Sequence, residues 1–268
     1  IDIAYFAASG RFLGLLRGLP ASGIDARRGQ YNLFSDSAIK LGLAKEIVRG
    51  KIHNQRVMLM RNGSAAENIL AQLKGLREKA SGAENEAQLL GIEGEAAALY
   101  FGQFSTMLKN AAFDFNGRNR RPPRDPVNAL LSLGYSILAK ELSGVCHTVG
   151  LDPFLGFYHH PRYGRPALAL DLMEEFRPLV VDSLALSLLN RGELDAKSDF
   201  IFSSEGCALN EQGRRAFWQG WFRRLDTEVT HPVFGYQMSY RRMFEIQGRQ
   251  LWRFLRGEAA GYTAFTTR

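Results

Sequence analysis

Two short apolar runs open the chain, Ile1 to Phe6 and Phe12 to Leu16, and they read as strands around an Ala8-Ser9-Gly10-Arg11 turn. Two strands alone are marginal in water, so they are expected to belong to a sheet whose other strands lie upstream or in another chain. Gly18-Leu19-Pro20-Ala21-Ser22-Gly23 then reads as a linker. From Ser35 onward the apolar spacing is helical, with Ile39, Leu43, Ile47 and Val48 on one stripe, and strand-like alternation is scarce. The pattern predicts a mainly α chain, helical from about Tyr31 to the end, without internal repeats or low-complexity tracts. One helix is expected from about Asn85 to Leu108 and another from Asp125-Pro126, an N-cap followed by a first-turn proline, to about Leu142.

Length and charge narrow the functional classes. With 268 residues and 46% hydrophobic content the chain can bury a full core, which argues against disorder. Lys and Arg number 34 against 27 Asp and Glu, a net charge of +7 that favours a polyanionic partner. Cys146 and Cys207 stand far apart in no metal or redox spacing, which fits a reducing cytoplasm and indicates neither a disulfide framework nor a zinc site. The best membrane candidate, Leu179 to Leu189, is short and carries Asp182, so no segment is expected to reach the length of a spanning helix and a soluble chain is expected. The start at Ile1, directly in a strand-like stretch, suggests the middle of a longer polypeptide.

Three separated stretches carry the candidate chemistry: Gly91-Ile92-Glu93-Gly94, Gly156-Phe157-Tyr158-His159, and Asp171-Leu172-Met173-Glu174-Glu175-Phe176-Arg177-Pro178. Glu93 falls on the apolar stripe of its helix with Leu89, Leu90, Ala96, Ala97 and Tyr100, where a carboxylate is costly unless paired or metal-bound. Gly91 and Gly94 weaken the helix but clear space for a backbone or ligand to approach. A buried ion pair beside a helix crossing is the plain alternative. His159 and His160 lie in a segment rich in Gly and Pro, able to present an imidazole rigidly, although loop histidines commonly only hydrogen-bond. Asp171 and Glu174 share a helical face while Glu175 turns away, and two acids on one face repel unless a cation sits between them. Pro178 lacks the N–H that would bond the Glu174 carbonyl, so the helix is expected to kink there. An acidic helix start is the alternative reading. Carboxylates plus one imidazole form the ligand set of magnesium or manganese.

The basic run Gly117-Arg118-Asn119-Arg120-Arg121-Pro122-Pro123-Arg124 precedes the positive end of the helix starting at Pro126, an arrangement suited to phosphates. A solvated basic loop is its alternative. Arg118, Arg120, Arg121 and Arg124 are candidate DNA contacts, joined by Arg165 and Arg177 beside the third acidic motif. The basic and aromatic runs Arg214 to Trp218 and Tyr240 to Phe244, with Arg249, Trp252, Arg253 and Arg256, read as core stripes with charged outer faces.

These motifs together resemble the CRISPR-associated integrases, the catalytic subunits of spacer-acquisition complexes. The resemblance rests on Gly91-Ile92-Glu93-Gly94 with Tyr100-Phe101, the stretch Gly117 to Tyr135, Gly150-Leu151-Asp152-Pro153 through His159, and Tyr163-Gly164-Arg165-Pro166 through Pro178. Arg27-Arg28-Gly29-Gln30-Tyr31 and Lys51-Ile52-His53-Asn54-Gln55-Arg56 also fit it. It implies that residues 1–20 are the last strands of a truncated N-terminal β-domain, 21–30 a linker, and 31–268 a helical catalytic domain. Glu93, His159 and Glu174 become the implied catalytic metal ligands, with Asp171 a possible further one, while His160 gains no support. The implied reaction is transesterification, in which a 3′-hydroxyl of spacer DNA attacks a phosphodiester at a CRISPR repeat boundary. Implied partners are a second copy of the chain, a small bridging subunit, spacer and repeat DNA, and a fused or associated end-processing nuclease, with no membrane. A noncatalytic helical nucleic-acid scaffold and a metal-dependent RNA hydrolase are the alternatives.

Overall fold

A computed structural model describes residues 3–7, 12–16, 23–119, 122–232 and 234–267. Strands β1 (Ile3–Phe6) and β2 (Phe12–Leu16) pair antiparallel, Ile3 opposite Leu16 and Tyr5 opposite Gly14. The expected turn at residues 8–11 lies outside the described residues. Ile3, Tyr5, Leu13 and Leu16 are exposed, so this hairpin presents apolar surface.

Of the linker expected over residues 21–30, residues 21 and 22 lie outside the described residues, and the part from Ile24 is helical rather than irregular: helix α1 spans Ile24–Phe34. Its short apolar face, Ala26 with Leu33 and Phe34, is supplemented by polar docking. Gln30 is fully buried, donating to the carbonyls of Asp152 and Leu155 at 2.8 Å each and accepting from the Asp152 N–H at 2.9 Å. Gln30, with Arg27 donating to the Gly150 carbonyl and Tyr31 to Asp152, pins α1 to the irregular segment that carries His159.

Helix α2 (Ser37–Asn62) starts where Asp36 accepts from the N–H groups of Ala38 and Ile39. It is buried along most of its length and packs against α3 (Glu67–Ser81), α4 (Glu86–Gly102) and α6 (Ala167–Phe176). Asn85 caps α4 by accepting from the Gln88 N–H at 2.9 Å. This helix stops at Gly102 rather than Leu108, and a 3-10 turn, Phe104–Met107, buries Phe104 and Met107 in its place. The apolar pattern continued because burial continued, although the helix did not.

Helix α5 (Pro126–Thr148) is capped by Asp125 as expected and runs beyond the predicted end. By length and composition it could cross a bilayer, which corrects the expectation that no segment approaches that length. Its apolar side chains, Leu130, Leu131, Ile137, Leu138 and Leu142 among them, are buried in the core against α6 and α9 (Tyr240–Leu255).

The rod that begins with α6 continues through a π-helical turn, Arg177–Asp182, into α7 (Ser183–Asn190). Pro178 supplies the reason: without its N–H the Glu174 carbonyl loses its i+4 partner, and the ladder relaxes to the wider turn. The remaining elements are β3 (Phe200–Ser203) paired with β4 (Gly206–Leu209), α8 (Glu211–Leu225), and β5 (Glu228–Thr230) paired with β6 (Gln237–Ser239). Neither hairpin is evident in the sequence, since strands this short show too few alternations to register. Helices α8 and α9 bury Phe217, Trp221, Met243, Phe244, Leu251 and Leu255 and expose Arg215, Arg241, Arg249 and Arg253, as their spacing predicted.

Candidate active site

Four segments converge: α2 brings Lys51, α4 brings Glu93, the loop between α5 and α6 brings His159, and α6 brings Asp171 and Glu174. The loop lies close on α6 because Gly156 has no side chain; a Cβ there would meet the Ala167 carbonyl carbon at 2.6 Å. Asp171, fully buried, then gathers the loop. One of its oxygens accepts from the N–H groups of Phe157 (2.6 Å) and Tyr158 (3.1 Å); the other accepts from the His159 N–H and faces His159 Nδ1, both at 2.8 Å. A carboxylate with every lone-pair direction used in this way is a poor metal ligand. In the neutral tautomer that the Nδ1 contact favours, His159 carries its proton on Nδ1 and presents Nε2, 3.7 Å from Glu174 Oε1, as an acceptor.

Glu174 is 2% exposed. Its Oε1 accepts from Arg177 Nη1 at 2.8 Å, while Oε2 lies 2.6 Å from Lys51 Nζ. The same ammonium pairs with Glu93 Oε1. Burial alone would raise the Glu174 carboxyl, but Arg177 and Lys51, joined by the charge His159 carries when protonated, outweigh it and hold the group well below the usual carboxylate range. Lys51 is itself buried, at 7% exposure.

Behind Glu174 runs a buried line of support. The Arg177 guanidinium sits 4.1 Å from the Tyr135 ring centre, Tyr135 donates its hydroxyl to Asp182, and Tyr100 donates to the same carboxylate at 2.8 Å. Burial pushes the Asp182 carboxyl up to about 6 despite both phenols. Glu175 points the other way, accepting from the Tyr262 hydroxyl, the Phe265 N–H and Gln247, and burial pushes it up to about 8.

The structure thus brings Glu93, His159, Asp171 and Glu174 together and leaves His160 out, exposed and paired with Glu86 at 3.3 Å. Gly91 and Gly94 have open space where a Cβ would stand, so they admit no neighbouring backbone of this chain. Among the arginines, Arg124 is exposed and Arg165 half-buried, whereas Arg120 and Arg121 lie outside the described residues. Two expected DNA contacts are turned inward. Arg118 donates to the Asn119 carbonyl and to Asn128 and lies over the Phe101 and Tyr135 rings, while Arg177 is engaged by Glu174 and Tyr135. Lys51 is the member of the site that sequence reasoning missed. A signal existed, since Lys51 lies four residues after Ile47 and three after Val48 on the buried stripe of α2, where an unpaired ammonium would be costly.

Among the described residues no three His, Cys, Asp or Glu groups form a closed metal cluster; Lys51 stands between Glu93 and Glu174. The donors nevertheless suit a hard divalent ion: the Glu93 and Glu174 carboxylates converge on one ammonium, and the His159 imidazole presents Nε2 to Glu174.

Comparison with known proteins gives a consistent picture. The model of the family described as CRISPR associated protein Cas1 matches residues 1–223. A CRISPR-associated exonuclease Cas4/endonuclease Cas1 fusion of Rhodospirillum rubrum is 46% identical, the match covering 100% of this chain and 48% of the relative. A CRISPR-associated endonuclease Cas1 of Thermus thermophilus is 40% identical over 100% of this chain and 79% of that protein. Against such fusion relatives the chain spans about half their length. Among solved structures, a chain of a partial Cas6-RT-Cas1–Cas2 complex is 27% identical with a TM-score of 0.81, covering 98% of this chain and 80% of that one.

Proposed function

The chain belongs to the CRISPR associated protein Cas1 family, and from that premise we propose that it is a metal-dependent DNA integrase and endonuclease that inserts spacer DNA into a CRISPR array. The observation that carries this reading is the meeting of Glu93, His159 and Glu174, from three separate elements, beside an imidazole whose tautomer Asp171 fixes. Glu93, His159 and Glu174 would hold magnesium or manganese, which when bound would polarise the scissile phosphate and stabilise charge developing on the attacking and leaving oxygens. Arg177 and the Tyr135–Asp182 pair keep the Glu174 carboxylate charged and in place.

The nucleophile is assigned to DNA, as a spacer 3′-hydroxyl attacking at a repeat boundary. The protein side chains near the site are unsuited to that role. Burial, reinforced by the charges of Glu93, Glu174 and Asp171, pushes the Tyr158 hydroxyl well above its ordinary value, and burial with the charge of Asp171 raises the Cys146 thiol likewise. The partners follow from the same reading. Fusions with Cas4 among the relatives favour a fused or associated end-processing nuclease, and the Cas1–Cas2 complex favours a small bridging subunit. A second copy of the chain, Arg124 and Arg165 on DNA, and a cytoplasmic location complete the proposal.

The test is strand transfer of spacer DNA into repeat-containing DNA with magnesium or manganese. Glu93→Ala, His159→Ala and Glu174→Ala should each abolish joining while DNA binding persists, and spacer ends lacking the 3′-hydroxyl should bind but fail to join. Near-normal joining by Glu93→Ala would sink the metal assignment. Joining of blocked ends, or a stable tyrosine-linked adduct, would refute direct transesterification. DNA binding without any joining would favour a noncatalytic scaffold, and cleavage confined to RNA would favour a hydrolase.

A further inference from the structure

We infer that Lys51 is the resident cation of this site: its ammonium occupies the place between Glu93 and Glu174 that a divalent ion takes, holds the two carboxylates convergent in the ion's absence, and gives way when the ion binds. The inference rests on the metal reading above and goes beyond it, because it assigns the metal a competitor built into the chain.

The geometry is specific. Lys51 Nζ pairs with Glu93 Oε1 and lies 2.6 Å from Glu174 Oε2, while Arg177 holds the other Glu174 oxygen at 2.8 Å. The two cations therefore divide Glu174 between them, one oxygen each. They are not equivalent. Arg177 is a planar guanidinium held by Glu174 Oε1 and by the face of Tyr135, whereas Lys51 is a compact charge on a flexible four-carbon stem, shared between Glu93 Oε1 and Glu174 Oε2. Of the two, Lys51 is the one able to leave.

Charge balance points the same way. Without a metal, Lys51 and Arg177 offset Glu93 and Glu174, so the buried carboxylates neither repel each other nor stand uncompensated. A divalent ion added to that set would leave the pocket with excess positive charge, and the ammonium nearest the ion would be repelled most strongly. The same arrangement accounts for the open ligand set: Glu93 and Glu174 are gathered around Lys51 rather than around His159 Nε2, which stays 3.7 Å from Glu174 Oε1.

The experiment compares wild type, Lys51→Met and Lys51→Arg as the full chain, titrated with Mn²⁺ by calorimetry and by the paramagnetic resonance signal of the free ion, with thermal melts at each concentration. Methionine keeps the unbranched stem and removes the charge. Metal-free Lys51→Met should melt below wild type, and Mn²⁺ should raise its melting temperature by more than it raises that of wild type. Its Kd for Mn²⁺ should fall by about tenfold or more, the scale expected when one unit charge is removed a few ångströms from the ion. Lys51→Arg restores the competitor and should bind Mn²⁺ no more tightly than wild type. If Lys51→Met is unfolded without metal, Mn²⁺ should restore its fold by supplying the missing charge; failure to restore it overturns the inference. Mn²⁺ binding by wild type with equal or weaker binding by Lys51→Met, or tighter binding by Lys51→Arg, overturns the inference alone. Absence of Mn²⁺ binding by all three proteins would overturn it together with the metal reading.

Discussion

Replacing Asp171 by asparagine keeps the shape of the side chain and removes one of its two acceptor oxygens. In the native site each oxygen serves two donors: Phe157 and Tyr158 N–H on one, His159 N–H and Nδ1–H on the other. The asparagine amide can face either pair. Turned toward Phe157 and Tyr158, it strands two buried N–H groups at about 1–3 kcal/mol each, or roughly 2–6 kcal/mol in all. Turned toward His159, it strands only the backbone N–H, about 1–3 kcal/mol, because the imidazole can move its proton to Nε2 and accept from the amide at Nδ1. The second arrangement is less costly to the fold, yet it removes the Nε2 lone pair that would bind metal. Asp171→Asn should therefore lose about 1–3 kcal/mol in urea denaturation while its affinity for Mn²⁺ falls by about 10–100-fold, the usual scale when a ligating histidine is deprived of its partner. Both are measured on one preparation. Unchanged stability and unchanged affinity together would refute the placement of Asp171. A loss of several kcal/mol with full affinity would refute the tautomer step.

Exchanging Arg124 and Arg165 together for glutamine should flatten the salt dependence of DNA affinity by about 0.9 log units per log salt for each duplex phosphate no longer neutralised, whereas Arg118→Gln should cost stability with little change in slope; an unaltered slope for the double variant would remove both arginines from the DNA interface. Asp182 gives a pH prediction. The fold raises its carboxyl from an ordinary 3.8 to about 6, so the native state binds the proton more tightly than the unfolded chain, and the stabilisation is complete below about pH 4 and lost as pH rises through about 6. Asp182→Asn imitates the protonated form and should match wild type near pH 4 but exceed it near pH 7.5, by up to about 3 kcal/mol for a shift of this size. A wild type that gains on the variant as pH rises would contradict this.

The parts of the site that are legible in the sequence are those where a costly residue sits on a regular pattern. Glu93 on an apolar helical face, Asp171 and Glu174 one turn apart, and Pro178 breaking the ladder each announce a departure from a plain helix, and the fold places all of them at one locus. What stays hidden depends on interactions between distant segments. Gln30 looks like an ordinary polar residue in a loop, yet its amide docks α1 on residues 152–155. Arg118 looks like a phosphate-binding cation in the sequence because nothing nearby announces Asn128 and Tyr135 as partners, and Arg177, although three residues after Glu174, gives no sign of the Tyr135 ring beneath it. Asp171 looks like a ligand because residue type cannot show that N–H groups of a distant loop already fill its lone pairs.

The rod from α6 to α7 carries four buried acids, Asp171, Glu174, Glu175 and Asp182, and their partners decide what each can do. Asp171 is satisfied by a fixed set of N–H groups from one loop. Glu175 is met only by neutral groups, among them the Tyr262 hydroxyl and the Phe265 N–H, and its carboxyl rises to about 8, so the proton stays on at neutral pH. Asp182 is held by two phenols that have no other place to go. Glu174 alone is kept ionised by cations, one of them a lysine on a flexible stem. A carboxylate that is already ionised takes up a metal without first releasing a proton, and a flexible partner is the one most easily displaced. In this rod those two conditions meet at Glu174, which under the proposed metal reading is therefore the acid whose partner would be exchanged.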